Sequence, residues 1–157
     1  MKSECMFAVI RIRGKIGIKK EIEDTLRMLR LNSVNNCVVV PENPSFKGMI
    51  EKVKDYVTYG EIDKETLIAM LKKRLRLEGN RRLDEKNLKE IIGVDSFEVL
   101  AEKIIKGELK LKDLESVKPV FRLTPPSKGF KSVKEHYPKG DLGYRGKEIN
   151  ELLKRMI

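Results

Sequence analysis

Residues 32–57, NSVNNCVVVPENPSFKGMIEKVKDYV, decide how the rest of the chain is arranged. The apolar run over residues 37–40 predicts a buried strand, and the turn that follows it contains two prolines. From Phe46 onward the apolar residues recur at the three- and four-residue spacing of one helix face. Asn43 is placed to cap this helix, and a β-prone run opens at Tyr56. The stretch therefore predicts a strand, a helix and a second strand in direct succession.

The chain before this stretch predicts one more strand and one more helix. Residues 6–12 alternate between two faces, and the basic end of this strand, at Arg11 and Arg13, is expected to meet solvent or phosphate. Residues 19–31 carry apolar side chains at helical spacing. The result is a β-α-β-α-β core over residues 1–62. This order of elements fits a parallel sheet with right-handed crossovers, and it also fits a split arrangement with an antiparallel sheet.

The composition changes beyond the core, where a helical segment and then a basic extension are predicted. Three helices are expected in the segment, and they cover residues 63–75, 84–92 and 95–106, with Asp63, Asp84 and Asp95 as their caps. The extension begins with a short strand over 119–123 and closes with a helix over 147–156. The predicted domains are therefore a core over 1–62, a helical segment over 63–117 packed on that core, and a basic C-terminal extension over 118–157.

The net charge favours a polyanionic partner. The chain carries +10 at neutral pH, and residues 118–157 alone hold 10 basic and 4 acidic side chains. Such a balance favours nucleic acid first, and an acidic protein or a membrane surface second. Cations interleaved with aromatic rings in a tail rich in Gly and Pro suit an RNA groove, where they neutralise phosphate and stack on bases. A basic, mostly disordered loop is the alternative interpretation of this tail.

The sequence lacks the constellations of an enzyme. No P-loop, GxGxxG, HExxH or EF-hand pattern occurs. His136, the single histidine, has no serine or cysteine nucleophile arranged around it in the sequence. Cys5 and Cys37 form no CxxC pair, which predicts reduced thiols. No apolar run is long enough to span a membrane and no signal-peptide pattern is present, so a cytosolic binding protein without a cofactor or metal is expected.

Four groups of residues are the predicted nucleic-acid contacts. The first surrounds the glycine loop after the first strand and consists of Arg11, Arg13, Lys15 and Lys19. The second, Lys47 with Gly48, is expected where the second helix begins, a place suited to phosphate. The third closes and follows the next helix: Lys72, Lys73, Arg74, Arg76, Arg81 and Arg82. The fourth lies in the extension: Arg122, Lys128, Lys131, Tyr144, Arg145 and Lys147. An ordinary solvated helix end, whose dipole also favours cations, is the alternative for the third group.

A DNA-binding helix-turn-helix is an alternative function for residues 84–106. Two short helices joined at Gly93 have the order of elements that such a motif requires. The second helix presents Glu98 and Glu102 where a recognition helix needs basic or amide side chains. Packing of helices onto the core is therefore the favoured interpretation of this segment.

Several short motifs are similar to those of a known family. Val40-Pro41-Glu42, Phe46-Lys47-Gly48-Met49 and Tyr59-Gly60-Glu61 resemble universal large-subunit ribosomal protein thirty. In the tail, Phe121-Arg122-Leu123, Pro125-Pro126 and Leu142-Gly143 are similar to the extension of its archaeal branch, which is related to eukaryotic large-subunit protein seven. The resemblance spans nearly the whole chain, and residues 76–118 contribute least to it.

This resemblance implies an α+β fold. Its β-α-β-α-β core would have a three-stranded antiparallel sheet with helices on one face, somewhat like a ferredoxin. The implied role is a structural one in the large ribosomal subunit of the cytoplasm, bound to large-subunit rRNA near the 5S rRNA region. The implied further partners are 5S rRNA and neighbouring ribosomal proteins, while a membrane, a small-molecule substrate, a cofactor and catalysis are not expected. Ser33 stands where relatives often carry a longer basic or polar side chain, so an rRNA contact at that position is open.

The resemblance and the charges together lead to a hypothesis about binding. Basic loops would dock the core on rRNA through shape and phosphate contacts, and the tail would follow a neighbouring RNA helix. Replacing Arg11, Arg13 and Lys15 with alanine should then weaken rRNA binding and flatten its salt dependence. A free-standing, non-ribosomal RNA-binding protein with the same core is the remaining alternative.

Overall fold

The computed structural model describes residues 6–14, 16–41, 43–77, 79, 81–82, 85–109, 117–130, 132 and 134–157. The strands are Met6–Arg11 (β1), Asn36–Pro41 (β2), Val57–Glu61 (β3), Phe121–Arg122 (β4) and Gly143–Tyr144 (β5). The helices are Lys20–Met28 (α1), Pro44–Lys52 (α2), Lys64–Arg74 (α3), Glu85–Ile91 (α4), Phe97–Ile105 (α5) and Ile149–Met156 (α6), and a 3-10 turn over Gly146–Glu148 precedes the last of them. The predicted strands and helices of the core are thus confirmed, although α1 ends earlier than expected.

The five strands form one sheet in the order β4-β2-β1-β3-β5. Strand β1 is antiparallel to both β2 and β3, so these two flanking strands run in the same direction. The antiparallel core that the family resemblance implies is therefore confirmed, and the parallel arrangement does not occur. The sheet has five strands rather than three because the C-terminal extension supplies both edges, with β4 antiparallel to β2 and β5 parallel to β3.

Both faces of β1 are buried because helices cover each of them. On one face, Phe7 and Val9 lie in a cluster with Leu26 of α1 and Ile50 of α2. On the other face, Ala8 lies in a cluster with apolar residues of α3, α5 and α6. The predicted alternation along β1 is confirmed. The expected arrangement of helices on one face holds for the core segment alone, since the later helices cover the opposite face.

Local capping chemistry sets where several helices begin. Asn43 caps α2 and Asp63 caps α3, each through a side-chain oxygen that accepts a backbone N–H three residues further on. Both caps agree with the sequence-based predictions. Helix α5 is capped by Ser96 rather than by the predicted Asp95, because the hydroxyl of Ser96 accepts the N–H of Val99 at 3.3 Å. The predicted cap at Asp84 lies outside the described residues.

The closing helix docks onto the core as predicted. Its apolar stripe, Ile149, Leu152, Leu153 and Met156, is buried along its whole length. These residues join the same cluster as β1 and α3, which also takes Phe121 from β4. The extension is therefore part of the main hydrophobic core, while the three-part division of the chain stays a prediction.

Candidate nucleic-acid interface

Most of the predicted contact residues lie at the surface. The exposed members are Lys19, Lys47, Gly48, Lys72, Lys73, Arg81, Arg82, Arg122, Lys128, Tyr144 and Lys147. The half-buried members are Arg13, Arg74 and Arg76. Arg11 and Arg145 are buried, and Lys15 and Lys131 lie outside the described residues. The predicted set thus divides into surface groups and two buried arginines whose contacts are different.

Arg11 lies inside the molecule and not at the surface expected for a phosphate contact. The residue is 1% exposed. Its Nε donates to the carbonyl of Arg13 at 2.9 Å, and its Nη1 donates to the carbonyl of Leu31 at 2.7 Å. Burial lowers the pKa of this guanidinium, and the charge of Glu23 opposes that shift. Arg11 therefore ties the loop after β1 and the loop after α1 to the end of β1, through the carbonyl groups of Arg13 and Leu31. A guanidinium buried in this way supports the two loops, and it does not suit a phosphate contact.

Arg145 is also a structural arginine. Its Nη2 donates to Oδ1 and to the backbone oxygen of Asp141, at 2.8 and 2.9 Å. Its Nε donates to the hydroxyl of Thr58 in β3 at 2.8 Å. The two charged side chains are each 5% exposed. Arg145 therefore fastens the extension to the sheet, and its position does not suit the predicted rRNA contact.

Arg13 keeps its charge near the surface at the same end of the sheet. Its guanidinium carbon lies 5.1 Å from the centre of the Tyr56 ring, which is the geometry of a cation–π contact. The backbone N–H of Arg13 donates to the carbonyl of Tyr56 at 3.2 Å. The ring thus holds one side of the guanidinium, and the half-buried side chain keeps access to solvent.

Lys47 and Gly48 lie one turn inside α2 rather than at its start. Pro44, the first helical residue, has no N–H, and the N–H of Phe46 is taken by the side chain of Asn43. The N–H of Lys47 donates to the carbonyl of the same asparagine at 3.0 Å. Few donors at this helix start can therefore bind a phosphate, which corrects the expected position of the site. The exposed side chain of Lys47 stays a predicted contact.

The third predicted group is concentrated around the end of α3. A short antiparallel bridge pairs Arg76 with Arg82. Burial lowers the pKa of Arg76, and the positive charges of Arg82 and Arg74 lower it further. A bound anion would relieve this repulsion between like charges. The anion contact stays a prediction, because Nη1 of Arg76 also donates to the carbonyl groups of Lys73 and Leu75, at 3.0 and 3.3 Å, as a cation at an ordinary helix end does.

The tail reaches the same end of the molecule through α6. Lys73 of α3 donates to the backbone carbonyl of Ile157 at 3.2 Å. Arg155 of α6 donates to two carbonyl groups of the turn that contains Lys128, each at 3.3 Å. The cations of α3 and of the tail turn are thus brought together around the end of α6. The sequence does not single out Arg155, because the apolar stripe dominates the pattern of this helix.

Tyr144 lies in β5, the edge strand on the other side of the sheet from β4, and presents an aromatic ring there. The residue is 51% exposed, and its ring lies 5.4 Å from that of Tyr59 and 6.4 Å from that of Phe7. Its hydroxyl donates to a carboxylate oxygen of Glu61. An exposed ring that its neighbours hold in place is suited to stacking on an RNA base.

Two further cations are identified as candidate nucleic-acid contacts only by the folded structure. Arg30, which follows α1, and Lys118, which precedes β4, lie around the same open hollow as the predicted contact Arg122. No local sequence pattern indicates Arg30 or Lys118, because only the pairing of β4 with β2 brings these parts of the chain together.

The described residues offer little to the alternative functions. Helix α5 buries its apolar face against the core, and its Glu102 forms an ion pair with Lys64 of α3, so a DNA-reading role for this helix is not supported. His136 lies 2.7 Å from a carboxylate oxygen of Asp55. Burial raises the pKa of the free thiol of Cys37.

Two other classes of site do not occur among the described residues. That part of the chain contains no cluster of three or more His, Cys, Asp or Glu side chains placed to hold a metal ion. Its helices include none with the length and apolar character needed to cross a membrane.

Comparison with known proteins yields a consistent set of relatives. The family model described as ribosomal protein L30p/L7e matches residues 7–57. A protein of Archaeoglobus fulgidus named large ribosomal subunit protein uL30 is 52% identical over 151 residues, covering 96% of this chain and 99% of the relative. The protein of that name from Methanococcus vannielii is 53% identical over 96% of this chain and 99% of its own length. The one from Thermoplasma volcanium is 50% identical over 97% of this chain and 93% of its own length.

The antiparallel α+β core and these matches define a ribosomal protein. More narrowly, the chain belongs to the L30p/L7e family, with archaeal relatives that carry the name uL30. The resemblance seen in the sequence motifs is therefore confirmed. This family consists of ribosomal proteins and not of enzymes.

Proposed function

We propose that this protein is a structural component of the large ribosomal subunit, in the cytoplasm, and binds large-subunit rRNA near the 5S rRNA region. The observation that carries the proposal is the identity of 52% and 53%, over 96% of this chain, with archaeal relatives named uL30. The exposed cations around the end of α3 and in the tail support it, because they form a positive surface that suits a phosphate backbone. 5S rRNA and neighbouring ribosomal proteins are the further partners in this proposal.

The binding mechanism that we propose rests on phosphate contacts and RNA shape. Lysine and arginine side chains replace condensed counterions along the RNA backbone, and the release of those ions favours binding. The wide, shallow minor groove of RNA admits a protein surface by shape more than by sequence. Tyr144 adds a stacking contact with an unpaired base. The site residues at the surface stay predicted contacts in this mechanism.

Sedimentation of a lysate through a high-magnesium gradient tests the proposal. The full-length chain, detected by antibody, is expected in the large-subunit peak in a constant ratio to rRNA across that peak. Ribonuclease treatment is the control, and it should move the chain to the top of the gradient. A free-standing RNA-binding protein would stay at the top without ribonuclease, and that result would contradict the proposal.

The salt dependence of binding tests the tail contacts separately. The double variant Lys128→Gln/Lys147→Gln should lower the slope of log affinity against log salt by about 0.7 to 0.9 for each phosphate that the protein no longer neutralises. The matched control is Lys86→Gln/Lys89→Gln, which removes the same charge from exposed positions of α4. Filter binding to a large-subunit rRNA fragment over a range of salt concentrations measures both slopes. Equal slopes for the two variants would show that Lys128 and Lys147 do not bind the RNA.

A further inference from the structure

We propose that an open hollow between the α1–β2 loop and β4 receives one unpaired nucleotide of the bound RNA. The inference rests on the proposed function, since RNA is the ligand of the hollow. The hollow measures 830 Å³ and is lined, among the described residues, by the loop after α1 and by the chain around β4. This volume lies within the range of about 300 to 1,000 Å³ that is usual for ligand pockets.

Three cations surround the hollow. They are Arg30 on the loop side, and Lys118 and Arg122 on the β4 side. Arg30 and Arg122 are exposed, and Lys118 is half-buried. No carboxylate of the described residues forms an ion pair with any of the three. Positive charges that converge on one concave surface without acidic partners favour a phosphate group there.

The rest of the lining fits a base better than a bare phosphate. Val120 gives the hollow an apolar wall, and this side chain is packed against the core cluster of β1 and α2. Asn32 and Asn36 add amide groups to the same lining. Apolar contact suits the face of a base, and amides can hydrogen-bond to the edges that an unstacked base exposes. A paired A-form helix keeps its bases stacked inside, so only an unpaired nucleotide can use both features.

The loop wall of the hollow is held in place before any ligand binds. Arg30 has φ of 65°, which is uncommon for a residue other than glycine. It ends α1 in a closing turn in which the N–H of Leu31 donates to the carbonyl of Leu26 at 2.8 Å. The buried guanidinium of Arg11 donates to the carbonyl of Leu31 from the interior of the protein. Arg11 is thus a positioning residue for the hollow.

The β4 wall is tied to the loop wall by backbone pairing. Asn36 of β2 is in register with Arg122 of β4. The N–H of Leu123 donates to the carbonyl of Asn35 at 3.1 Å. Because both walls are linked through hydrogen bonds, little ordering entropy is lost when a ligand enters. The charges, the lining and the hydrogen-bonded walls of the hollow therefore suit a nucleotide.

Filling the hollow without changing its charge tests the inference. The probes are a fluorescently labelled single-stranded hexamer of adenosine and a blunt RNA duplex of equal length, each titrated with the full-length chain. Ser33→Leu places a larger apolar side chain in the lining at an exposed position. We expect it to weaken binding of the hexamer about tenfold and to leave binding of the duplex within about twofold. Thermal unfolding checks that the variant remains folded.

Removal of charge provides the second arm of the test. The double variant Arg30→Gln/Arg122→Gln should lower the binding affinity for the hexamer more than the charge-matched control Lys86→Gln/Lys89→Gln does. If the cations form only a general basic surface, Ser33→Leu should bind the hexamer as the wild type does, or should bind hexamer and duplex more weakly by the same factor. Either result would overturn the inference. Tighter binding of an acidic hexapeptide than of the hexamer would overturn it in favour of a protein partner.

The sedimentation experiment keeps this test separate from the proposed function. If the wild-type chain sediments with the large subunit and Ser33→Leu still binds the hexamer normally, the nucleotide site is refuted and the ribosomal role is not. Wild-type chain that stays at the top of the gradient would contradict the ribosomal role, whatever the hexamer titration shows.

Discussion

Replacing Gly60 with alanine is expected to destabilise the protein by about 3 kcal/mol and to displace the closing helix from the sheet. A β-carbon at Gly60 would lie 2.0 Å from the carbonyl oxygen of Gly146 and 3.0 Å from the β-carbon of Ile149. Neither atom can be moved by a side-chain rotation, because one belongs to the backbone and the other is attached directly to it. Either β3 or the start of α6 must therefore shift, and the shift breaks the packing between them.

The same substitution at Gly48 is the matched control. Gly48 lies inside α2, and a β-carbon added there would meet no atom within 4 Å apart from its chain neighbours and the backbone of its own helix. Alanine is the better helix former, so Gly48→Ala should stabilise the protein by about 0.5 to 1 kcal/mol. Urea denaturation followed by circular dichroism measures both variants. Opposite shifts of the midpoint are expected, and an unchanged midpoint for Gly60→Ala would show that β3 and α6 tolerate a wider separation.

Arg145→Met is expected to destabilise the protein by about 3 to 5 kcal/mol. The substitution leaves the carboxylate of Asp141 buried without the guanidinium that now pairs with it, at 5% exposure of each side chain. It also removes the donor to the hydroxyl of Thr58, which is buried in β3. Removal of one partner from a buried ion pair costs far more than the loss of one hydrogen bond between neutral groups. The effect should appear in urea denaturation as a lower midpoint.

A surface ion pair supplies the control for this prediction. Arg27 lies 3.9 Å from Glu23 in α1, and both side chains are exposed. Arg27→Met should therefore change stability by less than about 1 kcal/mol. In the double variant Asp141→Asn/Arg145→Met the buried charge is gone, so it should be more stable than Arg145→Met alone. A double variant that loses the sum of the two single effects would show that the ion pair is not the source of the loss.

Both variants concern the attachment of the extension to the core. Gly60 lets the 3-10 turn before α6 approach β3 closely, and Arg145 ties the chain after β5 to the same strand. Arg155 of α6 holds the tail turn that contains Lys128 through two backbone carbonyl groups. Detachment of the extension should therefore weaken RNA binding as well as stability, although neither residue reaches the RNA in our proposal.

Local features of the fold could be predicted because they depend on neighbours in the chain. The alternation of β1 and the apolar stripe of α6 follow from the geometry of a strand and a helix. Asn43 and Asp63 cap their helices because a short side-chain oxygen reaches an N–H three residues on. The family motifs indicated the antiparallel sheet, which periodicity alone left open between two arrangements.

The site was less predictable because exposure depends on contacts between distant residues. Arg11 and Arg145 are as basic in the sequence as Lys128 or Arg82, and nothing in their local pattern marks them as buried. Arg11 is covered by the α1–β2 loop at Leu31, and Arg145 by Asp141 and Thr58. The strand predicted over 119–123 is confirmed by β4, but the sequence indicated neither β5 nor the pairing that places β4 and β5 at the two edges of the sheet. Pairing joins segments that are far apart in the chain, and a strand of two residues such as β5 carries almost no periodic signal.

By itself the sequence determined the order of the core elements, the excess of positive charge, the family and the expectation of a binding protein. Periodicity and capping act over a few residues, and charge adds up without regard to position. Only the tertiary structure decided which arginines support the fold and which meet solvent, and it alone brought Arg30, Lys118 and Arg122 around one hollow. The physical reason is that burial and concave surfaces arise from contacts between segments that are far apart in the chain.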